Sequence, residues 1–405
     1  MRAAGSVPGV KAPARVYWHD AMTRYDFGPT HPMNPVRLDL TMRLARALGI
    51  LEHVDVSAPH PASEGELELV HTPDFVHAVR ACSSSGSADA PTHPPGHGLG
   101  TPDVPTFSEM HGISSLFVGA TLAAARDVWA GTTPHGFGPA GGLHHAMPDA
   151  AAGFCVYNDV AVAIADLLER GVERIAYVDV DVHHGDGVER AFWDDARVLT
   201  LSIHEGPRTL YPGTGVATDI GGPTAEGYAV NVALPPHTED DAWLRALHSV
   251  VPHLLDAFSP QVLVTQHGCD THFLDPLAHL ALSVDGQRLA AEALHGWAHE
   301  FAGGRWIATG GGGYAIVDVV PRTWSLLMAE LAGVPIPPDT PVPEEWRTYV
   351  GERLGRTAPL HMTEGALPTM TDWTSGYDPA DPIDQAILAT RRAVFPHHGL
   401  DPVRD

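Results

Sequence analysis

The feature that most constrains how this chain can fold is the segment 174–187, which reads RIAYVDVDVHHGDG. It begins as a buried strand of β-branched and apolar residues and ends in three carboxylates and two imidazoles. Burying acidic side chains is costly unless something compensates their charge, and a bound cation is the usual compensation. Because side chains repeat every second residue in a strand, Asp179, Asp181 and His183 are expected on one side. The segment therefore predicts a site for a divalent metal ion, and a strand end with solvated acids is the alternative.

Strands and helices alternate along the rest of the chain. Apolar periodicity predicts strands at 16–18, 198–203, 261–266 and 306–309, and helices at about 38–48, 111–130, 159–170, 241–258 and 287–302. Helix-length connections between strands are typical of a largely parallel sheet that is covered on both faces. In such sheets ligands bind beyond the carboxyl ends of the strands, and the polar clusters at 183–186, 267–270 and 310–314 follow predicted strands.

Length and composition suggest how the chain is divided. With 405 residues it could form two domains, although α/β folds often extend as one unit. We expect a flexible tail over residues 1–15 and a catalytic domain over residues 16–335. The remaining segment, 336–405, is Pro-rich and is expected to be an irregular extension that packs on the domain, with one short helix near 344–354.

Charge and cysteine content exclude several classes of function. The formal net charge of −25 argues against nucleic acid, whose phosphates require a basic surface. There is no apolar run long enough to cross a bilayer and no secretory leader pattern, so we expect a cytoplasmic protein without a membrane partner. The three cysteines form no Cys-x-x-Cys pair, which fits a reducing compartment and argues against a thiolate zinc site.

Candidate metal ligands can be chosen from these strand ends. A catalytic zinc ion typically has three protein ligands and one open position. Asp181 and His183 provide two, and the third is expected from the segment 266–272, QHGCDTH. Spacing alone does not distinguish among His267, Asp270 and His272.

Two further features carry chemistry. The dipeptide His144-His145 follows a glycine-rich turn, and adjacent imidazoles can serve as a proton acceptor and an electrostatic stabiliser. Each ring needs a carboxylate to fix its tautomer, and Asp179 and Asp186 are available. Tyr314 follows four glycines and is either a phenol on a pliable loop or a packed aromatic residue.

Five motifs resemble, in order and spacing, those of the zinc-dependent histone deacetylases and their bacterial relatives. They are GGLHH at 141–145, GFC at 153–155, DVDVHHGDG at 179–187, YPGTG at 211–215 and GGGGY at 310–314. The resemblance extends over about residues 16–330, and segments 266–272 and 275–277 are similar to the bacterial acetoin-utilization deacetylases. It implies the arginase/deacetylase fold, a single open α/β domain with a central, mostly parallel eight-stranded sheet flanked by helices.

The resemblance also implies cofactors. A zinc ion would be held by Asp181, His183 and Asp270, with iron(II) as the alternative metal. Two structural potassium ions are implied as well, the first near the zinc and partly bound by main-chain oxygens of Asp179, Asp181, His183 and Ser202. The second would lie near Phe192, Val198 and Tyr228.

Catalytic roles follow from the same motifs. His145 would be the general base and later the general acid, with Asp186 behind it. His144, paired with Asp179, would stabilise charge, and Tyr314 would polarise the amide carbonyl group.

The implied substrate-binding residues line a tunnel for an acyl-lysine side chain. They are Gly153, Phe154, Tyr211 and Leu277 in the tunnel, Asp103 at its rim and Arg37 near an internal channel for acetate. Without the resemblance, Arg37 would be read as a surface residue. Tyr211 stands where many relatives have phenylalanine. Leu277 stands where polyamine-specific relatives have a glutamate, which argues against a polyamine substrate.

The sequence thus predicts a zinc-dependent deacetylase that acts on acetylated lysine in a protein or peptide, with metabolic enzymes as candidate substrates. Deacetylation of a small-molecule amide, such as an acetylated polyamine or metabolite, is the alternative enzymatic activity. A non-catalytic binding protein of the same fold is the alternative from another class.

Overall fold

In the computed structural model, residues 14–84, 96–371 and 373–405 are described. Eight strands form one sheet in the order β2-β1-β3-β8-β7-β4-β5-β6. The strands are β1 (Ala14–Tyr17), β2 (Asp55–Ser57), β3 (His135–Gly138), β4 (Ile175–Asp179), β5 (Val198–Glu205), β6 (Ala229–Leu234), β7 (Val262–Gln266) and β8 (Trp306–Thr309). Every pairing in this sheet is parallel, which confirms the predicted α/β class and the eight-stranded sheet.

Helices flank the sheet. Within the described residues they are α1 (Val36–Ala47), α2 (Glu64–Leu67), α3 (Pro73–Ser84), α4 (Met110–Trp129), α5 (Asp159–Glu169), α6 (Asp186–Ala191), α7 (Asp240–Phe258), α8 (Val284–Phe301), α9 (Val320–Leu331), α10 (Glu344–Leu354) and α11 (Pro382–Val394). None of the helices in this part of the chain is long and apolar enough to span a membrane.

The central strands are buried along their whole length. Every residue of β4, β5 and β7 is buried, as expected for strands covered on both faces. All three end in polar residues, and their carboxyl ends meet at one edge of the sheet. That edge is where the sequence placed its polar clusters.

Three strands were not identified from the sequence. β2 has only three residues, β3 contains two glycines in the sequence His-Gly-Phe-Gly, and β6 contains Asn231. Such strands lack the continuous β-branched pattern of β4. They form because they pair with neighbouring strands of the sheet, which the local sequence does not show. The first strand also begins earlier than predicted, since Ala14 and Arg15 belong to β1. The remainder of the predicted tail, residues 1–13, lies outside the described residues.

The C-terminal extension is more regular than predicted. The helix expected near 344–354 is α10, but residues 382–394 form a second helix, α11, that the sequence reading missed. Trp346 of α10 donates from Nε1 to the carbonyl oxygen of Leu40 at 2.9 Å. Asp384 of α11 forms a buried ion pair with Arg245 of α7, with 2.7 Å between Oδ1 and Nε. Long-range contacts of this kind fold the extension, so local composition was a poor guide.

Candidate active site

The segment that follows β4 forms the centre of the candidate site, although not for the reason predicted from strand alternation. β4 ends at Asp179, so Asp181 and His183 lie in the loop beyond it. Asp179 Oδ1 accepts the Asp181 amide N–H at 3.1 Å, and Asp181 Oδ1 accepts the His183 amide N–H at 3.0 Å. These side-chain-to-backbone hydrogen bonds, and not the pleat of a strand, orient the loop.

Asp181, His183 and Asp270 come together as a buried cluster, with one ligand atom of each within 4.8 Å of the others. His183 Nδ1 lies 3.1 Å from Asp181 Oδ1 and 3.2 Å from Asp270 Oδ2. Asp270 Oδ2 is buried without a partner of hydrogen-bond geometry in the described parts of the chain. Two buried carboxylates beside an imidazole, with one oxygen unpaired, fit a divalent cation well.

Burial and neighbouring charges shift the pKa values in this cluster. Burial and the negative charge of Asp181 raise the pKa of Asp270 above its usual value. Burial also opposes ionisation of Asp181, but the positive charge of His144 and the hydrogen bond from His183 hold its pKa well below the usual value. Burial opposes the charging of His183, but its hydrogen bonds with Asp181 and Asp270 outweigh burial and raise its pKa to about 10. In this structure the charged imidazole therefore compensates the carboxylates, a role that a bound cation would take over.

The structure also separates the three candidates for the third ligand. His267 Nε2 bonds to Thr265 Oγ1 at 2.8 Å, and His272 Nδ1 accepts the Leu274 amide N–H at 3.1 Å. Asp270 is the candidate that reaches the cluster with Asp181 and His183.

Gln266 is a residue at this site that the sequence reading did not single out. Its Nε2 donates to Asp181 Oδ2 at 2.8 Å and its Oε1 accepts the Gly268 amide N–H at 2.6 Å. The amide thus orients one carboxylate of the cluster and the loop that carries Asp270. The only sequence signal was its position at the end of β7, next to the polar cluster 267–270.

The two adjacent histidines are each backed by a carboxylate, as predicted. His144 Nδ1 lies 2.7 Å from Asp179 Oδ2, and His145 Nδ1 lies 2.7 Å from Asp186 Oδ1. The Nε2 atoms of the two rings are 3.1 Å apart.

The environments of these two rings differ in charge. Burial alone would lower the pKa of His144, but the charges of Asp179 and Asp181 outweigh it and raise that pKa to about 9. Burial, together with the positive charge of His144, lowers the pKa of His145 to about 4. At neutral pH His144 is therefore charged and His145 is neutral, which suits a stabiliser and a base respectively.

A second unpredicted set of contacts positions this dipeptide. Asn158, the N-cap of α5, donates from Nδ2 to the carbonyl oxygens of His144 at 3.2 Å and Ala146 at 3.0 Å. Asp159 Oδ1 accepts the amide N–H of Leu143 at 2.8 Å. Both residues stand at the start of a helix, where Asn and Asp are common, so the sequence did not mark them as part of the site.

The glycine loop 310–313 brings Tyr314 to the same place. A Cβ atom on Gly312 would lie 2.0 Å from Asp270 Oδ2, so a side chain is excluded there. Asp275 Oδ2 accepts the Tyr314 amide N–H at 2.8 Å. Burial and the charges of Asp270 and Asp181 raise the pKa of Tyr314 well above its usual value, so its hydroxyl stays protonated and can donate.

Arg37 is buried, although its local sequence context alone would have placed it at the surface. Its Nη1 donates to the carbonyl oxygens of Gly311 at 2.9 Å and Gly313 at 3.0 Å. Its guanidinium group also lies 5.1 Å from the ring centroid of Trp324. Arg37 therefore supports the loop that carries Tyr314.

Several residues of the site line one narrow cavity. Its walls are formed by Met33, Gly142, Leu143, His144, His145, Gly153, Cys155, Asp181, His183, Gly311, Gly312 and Tyr314. Met33 had no signal in the sequence beyond its place in a proline-broken loop.

The mouth of the cavity is aromatic. The Phe154 ring lies 5.7 Å from the Tyr314 ring, and the Tyr211 ring lies 5.0 Å from the His145 ring. Tyr211 is 47% exposed, so its ring stands at the boundary with solvent. Asp103 Oδ2 accepts the Gly153 amide N–H at 2.8 Å, which fixes the turn before Phe154.

Asp275 forms hydrogen bonds with the backbone of both Leu277 and Tyr314. Asp275 Oδ1 accepts the Leu277 amide N–H at 3.0 Å, while the other oxygen of Asp275 holds Tyr314. A place for Leu277 in a tunnel wall stays a prediction.

Asp181 and His183, two of the residues predicted to bind the first potassium ion, are also members of this cluster. Asp179 pairs with Ser202 across β4 and β5, and Ser202 Oγ accepts the Gly185 amide N–H at 3.4 Å. Near the second predicted site, the carbonyl oxygen of Tyr228 accepts the Thr200 amide N–H at 2.9 Å. Binding of potassium at either place stays a prediction.

Comparison with known proteins agrees with this geometry. Residues 31–331 match the histone deacetylase domain family. The chain is 42% identical over 323 residues to the acetoin utilization protein AcuC of Bacillus subtilis (strain 168), covering 80% of this chain and 82% of that protein. It is 36% identical over 327 residues to the protein of the same name from Staphylococcus xylosus, covering 81% and 84%. The corresponding Staphylococcus aureus (strain MSSA476) protein is 35% identical over 329 residues, with coverage of 81% and 84%.

Proposed function

The chain belongs to the histone deacetylase family, and we propose that it removes acetyl groups from the side chains of acetylated lysines in proteins, with zinc as its cofactor. The observation that carries this proposal is one cavity lined by Asp181, His183, the charged and neutral histidine pair and Tyr314, with Asp270 in contact with His183. Each component of an amide hydrolase is present there.

In this proposal zinc is held by Asp181, His183 and Asp270. A bound zinc ion supplies Lewis acidity, which lowers the pKa of a water molecule to about 7 and polarises a carbonyl group. The donor set would suit this metal because it offers carboxylate oxygens and an imidazole nitrogen, and two of its members, Asp181 and His183, line the cavity. Iron(II) is the alternative that the same donors accept.

His145 is the proposed proton carrier. Its Nδ1–H donates to Asp186, so Nε2 is the basic atom of the ring. In this structure Nε2 accepts from His144 Nε2–H, and attacking water would replace that contact when it gives its proton to His145. His145 then returns this proton to the departing lysine amine, so that the C–N bond breaks and acetate forms. His144 remains charged beside it and is held by Asp179, where it stabilises the negative charge that develops.

Tyr314 is the proposed donor to the carbonyl oxygen. Its protonated hydroxyl would bond to the oxyanion of the tetrahedral intermediate more strongly than to the starting amide. Loss of one such donor typically slows an enzyme by about 10²–10³-fold.

The neutral substrate side chain suits the cavity mouth. Phe154 and Tyr211 offer aromatic faces to the methylene stem of acetyl-lysine, and Asp103 at the rim would orient the substrate backbone. An apolar Leu277 cannot select a cationic chain by charge, which argues against acetylated polyamines. We also propose that the protein acts in the cytoplasm, since its three cysteines form no Cys-x-x-Cys pair and are all buried, which fits a reducing compartment.

Turnover of an acetyl-lysine peptide by zinc-loaded protein tests the proposal. We expect activity in the wild type and in His77→Ala, an exposed helical histidine away from the site, and loss of activity in His145→Ala. Asp181→Ala and Asp270→Ala should lose both the metal and the activity. If metal-loaded wild type is inactive on peptides but hydrolyses a small acetylated amide, the substrate class proposed here is wrong. If it hydrolyses neither, a binding role replaces the enzymatic one.

A further inference from the structure

A second cluster of potential metal ligands lies at the opposite end of the sheet. His135, His295 and His299 each place a ring nitrogen within 4.8 Å of the others. His135 is the first residue of β3, whose carboxyl end leads to the active-site turn 141–145, so the strand separates the two places. His295 and His299 are four residues apart on α8 and therefore share one face of that helix.

Hydrogen bonds determine which ring nitrogen carries the proton in two of these histidines. His135 Nδ1 lies 2.9 Å from the carbonyl oxygen of Leu331, which can only accept, so Nδ1 carries the proton. His295 Nδ1 lies 2.7 Å from Glu330 Oε1, and a carboxylate likewise makes Nδ1 the donor. When Nδ1 carries the proton, Nε2 of a neutral imidazole holds the lone pair, which is the form that binds a metal.

The Nε2 atom of His135 is left without a partner. His135 is only 4% exposed, and in the part of the chain that the structure describes this atom is buried and makes no hydrogen bond. A buried acceptor without a donor is unfavourable, because the loss of its contact with water is not compensated. Hydrogen bonds within the cluster do not explain why the His135 ring turns Nε2 to a place without a donor. A cation beside Nε2 does explain it.

The spacing of the other two rings suits a small tetrahedral cation. His295 Nε2 and His299 Nε2 are 3.1 Å apart. Two nitrogens bound to tetrahedral zinc at about 2.0–2.1 Å lie about 3.3 Å from each other. The His135 ring stands nearly perpendicular to both, at interplanar angles of 89° and 85°.

We propose that His135, His295 and His299 bind a divalent transition metal ion, with zinc as the best fit, at a site separate from the active centre. The donor set is three imidazoles, which select zinc, copper or nickel over magnesium and calcium. Because His299 is exposed, the fourth position is open to water. Glu330 and the Leu331 carbonyl group orient two of the ligands from the end of α9.

Such an ion would fasten three elements together. It would join the start of β3 to α8 directly, and through Glu330 it would also tie α9 to them. Trp306 of β8 already stacks on His295, with 5.1 Å between ring centroids and 16° between planes. The metal would therefore stabilise the fold at the amino-terminal edge of the sheet, and this inference does not depend on the proposed reaction.

Zinc content measured by mass spectrometry after equilibrium dialysis tests the site. The full-length protein, stripped with chelator and dialysed against zinc, should bind one ion more per chain than His299→Gln or His295→Gln. His77→Gln is the matched control and should bind as much as the wild type. Equal zinc content in wild type and His299→Gln would overturn the proposal.

Two further readouts separate this site from the active centre. Asp181→Ala should lose one ion and His299→Gln a different one, so the double variant should lose both. Cobalt(II) added to the Asp181→Ala variant should give the visible absorption of a tetrahedral site with nitrogen ligands. The double variant Asp181→Ala/His299→Gln should lack this absorption. Zinc should raise the melting temperature of Asp181→Ala more than that of the double variant, and an equal shift would contradict the structural role.

Discussion

His144 and His145 face each other through their Nε2 atoms at 3.1 Å, while each donates from Nδ1 to its own carboxylate. A charged ring and a neutral ring in this contact hold one proton between their Nε2 atoms. The carboxylates differ in what else they contact. Asp179 also accepts from the Tyr177 hydroxyl at 2.5 Å, whereas Asp186 also accepts the Gly187 amide N–H at 2.9 Å. The pair is thus asymmetric before any substrate binds.

The first prediction concerns this asymmetry. His145→Ala should reduce kcat by about 10²–10⁴-fold, the usual contribution of a general base, while zinc content stays at the wild-type value. Turnover of an acetyl-lysine peptide and metal analysis on the same samples measure both. A variant that keeps wild-type kcat would remove His145 from the role of base.

Gln266 provides the second prediction. Gln266→Leu keeps the approximate volume but removes the donor to Asp181 Oδ2 and the acceptor for the Gly268 amide. We expect zinc affinity to fall by about 10–100-fold, as is common when a hydrogen bond to a metal ligand is lost. Competition with a chelator measures this, with exposed Gln385→Leu as the control. Unchanged affinity would show that Gln266 does not orient Asp181.

Tyr314→Phe is the third. The substitution removes only the hydroxyl, so the metal should remain bound and kcat should fall by about 10²–10³-fold. The exposed Tyr377→Phe serves as control and should keep full activity. If Tyr314→Phe turns over at the wild-type rate, the oxyanion receives its hydrogen bond from another group.

The fourth prediction concerns the close approach of the glycine loop. In Gly312→Ala the new methyl group would lie 2.0 Å from Asp270 Oδ2, which forces the loop or the carboxylate to move. We expect loss of metal binding. Gly296→Ala, in an exposed position of α8 with no atom within 4 Å, should instead stabilise the protein by about 0.5–1 kcal/mol. Full zinc content in Gly312→Ala would contradict the packing argument.

The fifth is a dependence of stability on pH. His71 Nδ1 lies 3.1 Å from the Met147 carbonyl oxygen, and His71 Nε2 accepts the Asn158 amide N–H at 3.0 Å. Burial lowers the pKa of His71 from 6.5 to about 4. Because the folded-state pKa is the lower one, the neutral ring stabilises the fold fully above pH 6.5, and this contribution is lost as the pH falls towards 4.

The size of this effect follows from the pKa difference. Between pH 7 and pH 4 the wild type should lose up to about 3 kcal/mol more of its unfolding free energy than His71→Gln, which cannot titrate. Urea denaturation across this pH range measures the difference, since the other titrating groups are common to both proteins. His77→Gln should follow the wild type. Parallel curves for wild type and His71→Gln would show that His71 titrates normally in the folded protein.

Some residues of the site carried strong signals in the sequence. Asp181 and His183 interrupt a buried apolar segment, and Tyr314 follows four glycines, so each is unusual in its local context. Others had no such signal. Asp159 looks like an ordinary cap residue, and Met33 like an ordinary loop residue, yet one holds the turn before the histidine pair and the other lines the cavity.

The three-histidine cluster shows the same limit. His295 and His299 are an unremarked i, i+4 pair on a helix, and His135 stands in a strand that the local pattern did not predict. Their meeting depends on how α8 packs beside the start of β3. The local sequence around each of these residues does not predict that packing.

The sequence by itself determined the α/β class, the parallel sheet, the edge at which the site lies and the residue types of its centre. These depend on local periodicity and on polar groups at strand ends, which a short window of residues contains. Local spacing left His267, Asp270 and His272 open as the third ligand and favoured a surface position for Arg37. The family resemblance pointed to Asp270 and to an internal Arg37, and the tertiary structure places Asp270 in the cluster and buries Arg37 under the glycine loop. Arg37 and Gly313 are 276 residues apart, and Gln266 and Asp181 are 85 apart. Contacts over such separations form because folding buries polar groups that must then find partners, and the chain sequence does not state which partners will be near.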